Sequence, residues 1–142
     1  MAFQKVLVAF DGSELSVKAL QKAVAITQED SAELIVIHVY QTPVLAYGSA
    51  FVTVPANLDQ DYEEFARSVL KESEEATVGV SRVKRVLQQG QPAVTILEYA
   101  EENGVDLIIM GSRGLSGIRE FVLGSVSHNV VQHSKVPVLV IK

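Results

Sequence analysis

The sequence contains no cysteine, no excess of basic residues and no long apolar run. Without cysteine, disulfide bonds and thiolate chemistry are excluded, which fits a reducing cytosol. The net charge of −5 gives no general basic surface for nucleic acid. No apolar run approaches the ~20 residues of a membrane span, and the start MAFQKVLVAF lacks the pattern of a secretory signal. We therefore expect a cytoplasmic protein that binds neither nucleic acid nor membrane.

Short apolar segments predict the strands of a single domain spanning residues 1–142. The chain is 48% hydrophobic and long enough to bury a sizeable core. Three segments are apolar at consecutive positions, which indicates strands buried on both faces, as in a parallel sheet. A further segment carries Lys84 and Arg85, which suits a sheet edge. The five predicted strands are Val6–Phe10, Leu34–Val39, Ser81–Gln89, Asp106–Met110 and Val136–Ile141.

Helical patterns separate these strands, and a last helix is expected from about Ser125 to His133. The apolar faces of the first three helices are Leu15, Ala19, Leu20, Ala23, Val24 and Thr27; then Leu58, Tyr62, Phe65, Val69, Leu70 and Ala76; then Ala93, Ile96, Leu97 and Ala100. The candidate caps and stops are Ser13 before the first helix, Asn57 and Gly79 around the second, and Pro92 and Gly104 around the third.

The alternation of strands and helices predicts an α/β fold with a doubly wound, five-stranded parallel sheet. The strand order 3-2-1-4-5 fits best, because it places the basic segment at one edge and the proline-bearing terminal segment at the other. In that order the chain reverses direction between the first and fourth strands, and ligands bind beyond the carboxyl ends of strands at such a point. The first predicted strand is followed by Asp11 and the fourth by Gly111, so a ligand is expected between them.

A glycine-rich segment follows the fourth predicted strand and precedes the last helix. Gly111 and Gly114 have two residues between them, and Gly124 with Ser125 follows after nine more. The segment is not a P-loop, and the first strand is not followed by the dinucleotide fingerprint. Backbone N–H groups and a helix N-terminus remain, to which serine hydroxyls and Arg113 can add donors, and this favours a nucleotide phosphate site. A turn that merely reverses the chain is the alternative.

Several segments together resemble the universal stress proteins of the UspA type, over essentially the whole chain. They are DGS after the first strand, IHVY at the end of the second, GVDLIIMGSRG, LGSVSHNVV and the terminal KVPVLVIK. The nucleotide-binding branch of that family carries G-x2-G-x9-G-[S/T], which is complete here. The resemblance implies a Rossmann-like fold of the adenine nucleotide alpha hydrolase-like type, ATP as ligand, and a homodimer joined through strand Val136–Ile141.

The resemblance also implies a set of site residues. Asp11 would contact the ribose or the phosphate–metal region, and the backbone of Val39 would hold adenine. Mg²⁺ is expected with ATP and near Asp11, whose alternative is to serve only as a helix N-cap. Met110, Gly111, Arg113 and Gly114 would line the ribose and phosphate loop, and Gly124, Ser125, Val126 and Ser127 would bind the phosphates at the helix start.

The remaining residues that could carry chemistry give weaker indications. His38 lies in a predicted buried strand, where a hydrogen-bonded core histidine is expected, and His128 and His133 are expected at the surface or in packing contacts. The uncharged segment Gln41–Asn57 is interpreted as a flap on its own domain, with a lid over the ligand or a subunit contact as alternatives.

Three functions stay open at this point. The expected one is an ATP-binding regulatory module of the stress response that is not an enzyme. The second is a slow ATPase, although FDGSEL differs from the SGGxDS-type loop of related folds that cleave ATP at the α-phosphate. The third is a structural dimeric stress protein whose nucleotide site is vestigial. No serine has a visible histidine–acid partnership, so a hydrolase triad is not supported.

Overall fold

A five-stranded parallel sheet with helices on both faces forms the framework of the protein. The computed structural model describes residues 3–42, 45–47, 50–52, 56–114 and 123–142. The strands are β1 Lys5–Ala9, β2 Glu33–Tyr40, β3 Leu45–Tyr47, β4 Ala50–Val52, β5 Val83–Gln89, β6 Leu107–Gly111 and β7 Val138–Ile141. The helices are α1 Glu14–Asp30, α2 Ala56–Lys71, α3 Pro92–Glu102 and α4 Ser125–His133, with a 3₁₀ helix Glu72–Thr77 after α2.

The order of the sheet is β5-β2-β1-β6-β7, and all four neighbouring pairs are parallel. Counted among the sheet strands alone, this is 3-2-1-4-5, so the predicted fold and strand order are confirmed. β1 pairs on one side with β2 and on the other with β6, which places the reversal of chain direction between β1 and β6. The carboxyl ends of these two strands therefore lie side by side, as the switch-point argument requires.

Both faces of the central strands are buried, which explains their continuous apolar runs. Val6 and Val8 belong to one core cluster and Leu7 to another, and each of the three is 0% exposed. The first cluster includes buried residues of α1 and α2, whereas the second includes buried residues of α3 and α4. The sheet is thus covered by one pair of helices on each side. If polar residues alternated with apolar ones in β1, β2 or β6, the polar side chains would lie in one of the two cores.

Most of the predicted helix ends are confirmed. Ser13 caps α1, where its Oγ accepts a hydrogen bond of 3.2 Å from the Ser16 amide. Pro92 is the first residue of α3, and Gly104 follows the end of that helix with a left-handed φ of 66°. The last helix has the predicted bounds, Ser125–His133.

The second helix differs from its prediction at both ends. It begins at Ala56, so Asn57 lies inside its first turn and the prediction of Asn57 as the cap was wrong. The α-helix ends at Lys71, before the predicted stop at Gly79, and the chain continues as the 3₁₀ helix. The Ser73 hydroxyl donates to the Leu70 carbonyl at 2.6 Å, and such side-chain bonds compete with the regular helical ladder.

The apolar face predicted for the second helix was also wrong at its centre. Phe65 is 70% exposed, whereas Ala66, one residue and about 100° around the helix, is 1% exposed. Ala66, Val69 and Leu70 belong to the buried face. The small Ala66 occupies the position directed at the core, and the helix pattern alone did not distinguish it from its larger neighbour.

The segment predicted as a flap contains an antiparallel hairpin. β3 pairs with β4 in the register Leu45 opposite Val52. Residues 43–44, 48–49 and 53–55 lie outside the described residues, so the choice between flap, lid and subunit contact remains a matter of prediction. Among the helices that the structure describes, none combines the length and apolar character that crossing a bilayer requires.

The position of the buried face of α2 makes a prediction for stability. Leu70→Ala is expected to lower the free energy of unfolding by about 2–5 kcal/mol, because it leaves a cavity where an 8%-exposed side chain packed. Phe65→Ala, on the same helix, is expected to change it by about 0.5 kcal/mol or less. Urea unfolding followed by circular dichroism measures both, and a larger loss for Phe65→Ala would contradict the assigned face.

Candidate functional site

A cavity of about 550 Å³ lies at the carboxyl ends of the strands, where the switch point predicts a ligand. Its walls come from the ends of β1, β2 and β6, from the start of α3 and from the start of α4. One part is apolar, with Ile37, Ile96 and Met110, and another is polar, with Asp11, Arg113 and Ser125. This division suits a ligand with one apolar end and one charged end.

All of the site residues expected from the sequence line this one cavity. They are Asp11, Val39, Met110, Gly111, Arg113, Gly114, Gly124, Ser125, Val126 and Ser127. They come from four separate parts of the chain, so the fold brings them together. The structure describes no ligand, and the role of each residue stays a prediction.

The Ser112 carbonyl fixes the start of α4 against the end of β6. It accepts the Gly124 amide at 2.7 Å and the Ser127 hydroxyl at 2.6 Å. Ser127 is 2% exposed, so its hydroxyl proton is already committed to this buried contact. Any contribution of Ser127 to an anion would therefore come from its backbone amide rather than from its hydroxyl.

The N-terminus of α4 opens on the cavity without a side-chain cap. Gly124 is the N-cap residue and has no side chain with which to cap the helix. Ser125, Val126 and Ser127 form the first turn, and all three line the cavity. The first amides of a helix have no intrahelical acceptor and carry partial positive charge. The arrangement is suited to bind an anionic group, to which Arg113 can add a full positive charge.

Close packing within the protein explains the spacing of the three glycines. A Cβ on Gly111 would lie 2.8 Å from the Leu15 Cβ, and one on Gly114 would overlap the Asp11 Oδ2. A Cβ on Gly124 would lie 3.3 Å from the Arg113 Cα. The glycines therefore let the loop after β6 approach the start of α1, the carboxylate of Asp11 and the start of α4.

Asp11 does not cap α1, because Ser13 does. Instead the Asp11 Oδ1 accepts the Ser13 amide at 2.9 Å, while Oδ2 faces Gly114. The carboxylate is thus held in one orientation on the polar side of the cavity, and the alternative that Asp11 serves only as a helix cap was wrong.

The structure adds residues to the cavity wall that the sequence analysis did not assign to the site. They include His38, Ser13, Ser16, Pro92 and Ile96. The His38 Nδ1 lies 2.8 Å from the Phe10 carbonyl oxygen, which can only accept, so Nδ1 carries the proton. His38 is hydrogen-bonded as expected, but half-buried at the cavity rather than enclosed in the core. The position of Pro92 at a helix start was a signal that could have placed it at this edge of the sheet.

The two other histidines lie on exposed positions of α4, and the His133 Nδ1 bonds the Asn129 carbonyl within the helix at 3.0 Å. In the parts of the chain that the structure describes, no three histidine, aspartate or glutamate side chains are grouped as metal ligands.

Comparison with known proteins agrees with the fold. The model of the universal stress protein family matches residues 2–142. Universal stress protein YxiE of Bacillus subtilis is 42% identical over 147 aligned residues, covering 99% of each chain. The chain therefore belongs to the universal stress protein family.

Solved structures of this family have the same fold. The universal stress protein UspA from Lactobacillus plantarum matches with a TM-score of 0.77 and 26% identity, covering 100% of this chain and 99% of that one. A universal stress protein in complex with cAMP matches with a TM-score of 0.72 and 29% identity, covering 99% and 98%.

The contact between Gly114 and Asp11 can be tested without any ligand. Gly114→Ala is expected to cost about 1 kcal/mol, because Asp11 must rotate and give up the hydrogen bond from Ser13. In an Asp11→Ala background this cost should largely disappear. A double-mutant cycle in urea measures the coupling.

Gly111→Ala is the matched control for that cycle. Its Cβ would meet Leu15 and not Asp11, so its cost of about 1–3 kcal/mol should be the same in both backgrounds. An additive result for Gly114→Ala with Asp11→Ala would show that the two residues do not pack as described.

Proposed function

We propose that this protein binds ATP together with Mg²⁺ in the cavity and acts as a nucleotide-dependent regulatory module of the stress response. The observation that carries the proposal is the uncapped N-terminus of α4, which lines the cavity together with Arg113 and Asp11. The relative that was solved with cAMP supports an adenine nucleotide as the ligand class.

The apolar part of the cavity suits adenine, and strand geometry supports a role for the backbone of Val39. The Ile37 carbonyl accepts the Phe10 amide, so Ile37 directs its backbone groups toward β1, whereas Tyr40 directs its carbonyl toward Gly90 after β5. Val39 shares the direction of Ile37 because backbone groups alternate along a strand. β1 ends at Ala9, so the N–H and C=O of Val39 point past its end toward the cavity and could pair with an adenine edge.

The polar part suits the phosphates. Ser125, Val126, Ser127 and Arg113 line the cavity, and they offer three backbone amides, a hydroxyl and a guanidinium as donors. They would bind negative charge although the chain as a whole carries a net charge of −5.

Asp11 fits a magnesium ion that arrives with the nucleotide. Mg²⁺ is usually held by phosphates, waters and one or two carboxylates, and Asp11 is a carboxylate on the cavity wall whose Oδ1 accepts the Ser13 amide. The ion would neutralise phosphate charge there, while Asp11 would fix its position relative to α4.

We favour binding over rapid hydrolysis. Of the described residues on the cavity wall, the titratable ones are Asp11, His38 and Arg113. The Asp11 Oδ1 accepts the Ser13 amide and the His38 Nδ1 bonds the Phe10 carbonyl, so backbone contacts already hold both groups in place. Slow hydrolysis remains the second candidate.

The proposed site predicts a specific loss of affinity. Calorimetric titration with Mg-ATP is expected to show binding to the wild type, and Gly124→Val is expected to weaken it at least tenfold. A branched side chain at the N-cap would press on Arg113 and obstruct the start of α4, where the phosphates would lie. Mass spectrometry of the purified protein tests in parallel for a nucleotide that co-purifies.

Gln132→Ala is the control for this experiment, because Gln132 is exposed near the other end of α4. It should leave the affinity unchanged, and circular dichroism should show that both variants are folded. Wild-type affinity in folded Gly124→Val would overturn the phosphate site, and no binding of ATP, ADP or AMP to the wild type would favour the vestigial, structural alternative.

We also propose that two copies associate through β7. This strand forms one edge of the sheet, and its four residues, Val138–Ile141, are partly exposed. The carbonyls of Pro137 and Ile141 accept hydrogen bonds from the amides of Ile108 and Ser112. Every second residue of β7 therefore directs its backbone groups toward β6. Val138 and Val140 therefore direct their backbone groups to the open edge, where a second β7 could pair with them.

Val140→Pro tests this association. Proline removes an N–H that faces the open edge but none that bonds β6, so the variant is expected to be a folded monomer where the wild type is a dimer. Sedimentation velocity measures the mass of each. Val140→Thr keeps the N–H and should remain a dimer, and a dimeric Val140→Pro would contradict pairing through this strand.

A further inference from the structure

A second cavity of about 460 Å³ adjoins the first on the other side of the segment Arg113–Gly114. The two cavities share three residues: Ser13, Arg113 and Gly114. The rest of the second wall comes from the first turns of α1, with Glu14, Leu15 and Lys18, and from Lys142 after β7. The two cavities therefore adjoin at Ser13, Arg113 and Gly114.

The charge of the second cavity is opposite to that of the whole chain. Its described wall has three basic side chains, Lys18, Arg113 and Lys142, and one carboxylate, Glu14. The chain overall has 12 basic and 17 acidic residues. A local excess of basic side chains in an acidic protein marks a place where anions concentrate.

The start of α1 adds to this field. Glu14 and Leu15 are the first two residues of this 17-residue helix, and both line the second cavity. The N-terminal end of a helix carries partial positive charge. The second cavity therefore combines a helix start with three basic side chains, and the first cavity combines the start of α4 with the same Arg113.

We propose that the second cavity is a phosphate subsite continuous with the first. Arg113 would contact phosphate groups in both cavities, and Lys18 and Lys142 would contact those in the second cavity. An adenine nucleotide with a phosphate chain longer than that of ATP would fill both cavities. A free phosphate or polyphosphate bound beside a shorter nucleotide would present the same phosphate groups to the second cavity. This inference rests on the proposed function of the first cavity.

Titrations with AMP, ATP and adenosine 5′-tetraphosphate test the subsite at one fixed salt concentration. The wild type is expected to bind the tetraphosphate more tightly than ATP. Lys18→Gln and Lys142→Gln should each lower the ratio of tetraphosphate to AMP affinity about two- to fivefold, as expected for exposed ion pairs. Lys22→Gln is the matched control, because Lys22 is exposed one turn further along α1 and does not line the cavity; it should leave the ratio unchanged.

A further titration distinguishes the two sources of phosphate. Inorganic tripolyphosphate is added to the AMP-saturated protein, and binding that Lys18→Gln weakens supports a subsite that takes a free anion. If tripolyphosphate does not bind, but the tetraphosphate binds more tightly than ATP and this difference depends on Lys18, the subsite takes the phosphate chain of the nucleotide itself.

The failures of the two proposals are distinguishable. If AMP and ATP do not bind the wild type, the proposed function fails and the inference fails with it. A different pattern would overturn the inference alone: AMP and ATP bind, the tetraphosphate binds no more tightly than ATP, tripolyphosphate does not bind, and the lysine variants behave like Lys22→Gln. The second cavity would then not be a phosphate subsite, and the proposal for the first cavity would be unaffected.

Discussion

The peptide group of Ser112 is the contact on which the site depends. Its carbonyl accepts the Gly124 amide and the Ser127 hydroxyl, and its amide donates to the Ile141 carbonyl at 2.7 Å. One buried residue, 4% exposed, thus joins the end of β6 to the start of α4 and to the end of the edge strand β7. Because a carbonyl with two donors leaves little freedom, the first turn of α4 has a defined position on the cavity wall.

The glycine motif acts first on the protein and only then on a ligand. Gly111 and Gly114 let the loop after β6 lie against Leu15 and the Asp11 carboxylate, and Gly124 lets α4 begin beside Arg113. A turn that merely reversed the chain would not require three such close approaches on the wall of one cavity. The same segment places a carboxylate, a guanidinium and a helix start on the wall of one cavity, which is the arrangement that the proposed phosphate site needs.

Sequence reasoning was sufficient for the sheet order and for ten of the residues on the cavity wall, and it was insufficient where packing decides. Continuous apolar runs predict strands buried on both faces, and that condition leaves few orders for five strands. Periodicity could not tell which of two adjacent residues, Phe65 or Ala66, faces the core, because both fit an apolar stripe and only the closeness of helix and sheet distinguishes them. His38 was expected in the core for a similar reason. β1 ends opposite Ile37 of β2, one residue before His38, and where one strand ends relative to its neighbour is known only once the strands are paired.

The distribution of charge is compatible with the anionic ligand that we propose, although the chain as a whole is acidic. Two helix starts, those of α1 and α4, face the two cavities that meet at Arg113–Gly114, and each adds partial positive charge without a basic residue. Because this charge belongs to backbone groups held in place by hydrogen bonds, it needs no reorganisation when a ligand arrives, whereas exposed lysines must lose rotamer freedom. Positive charge is therefore concentrated where the two cavities meet at Arg113–Gly114, although the chain as a whole carries a net charge of −5.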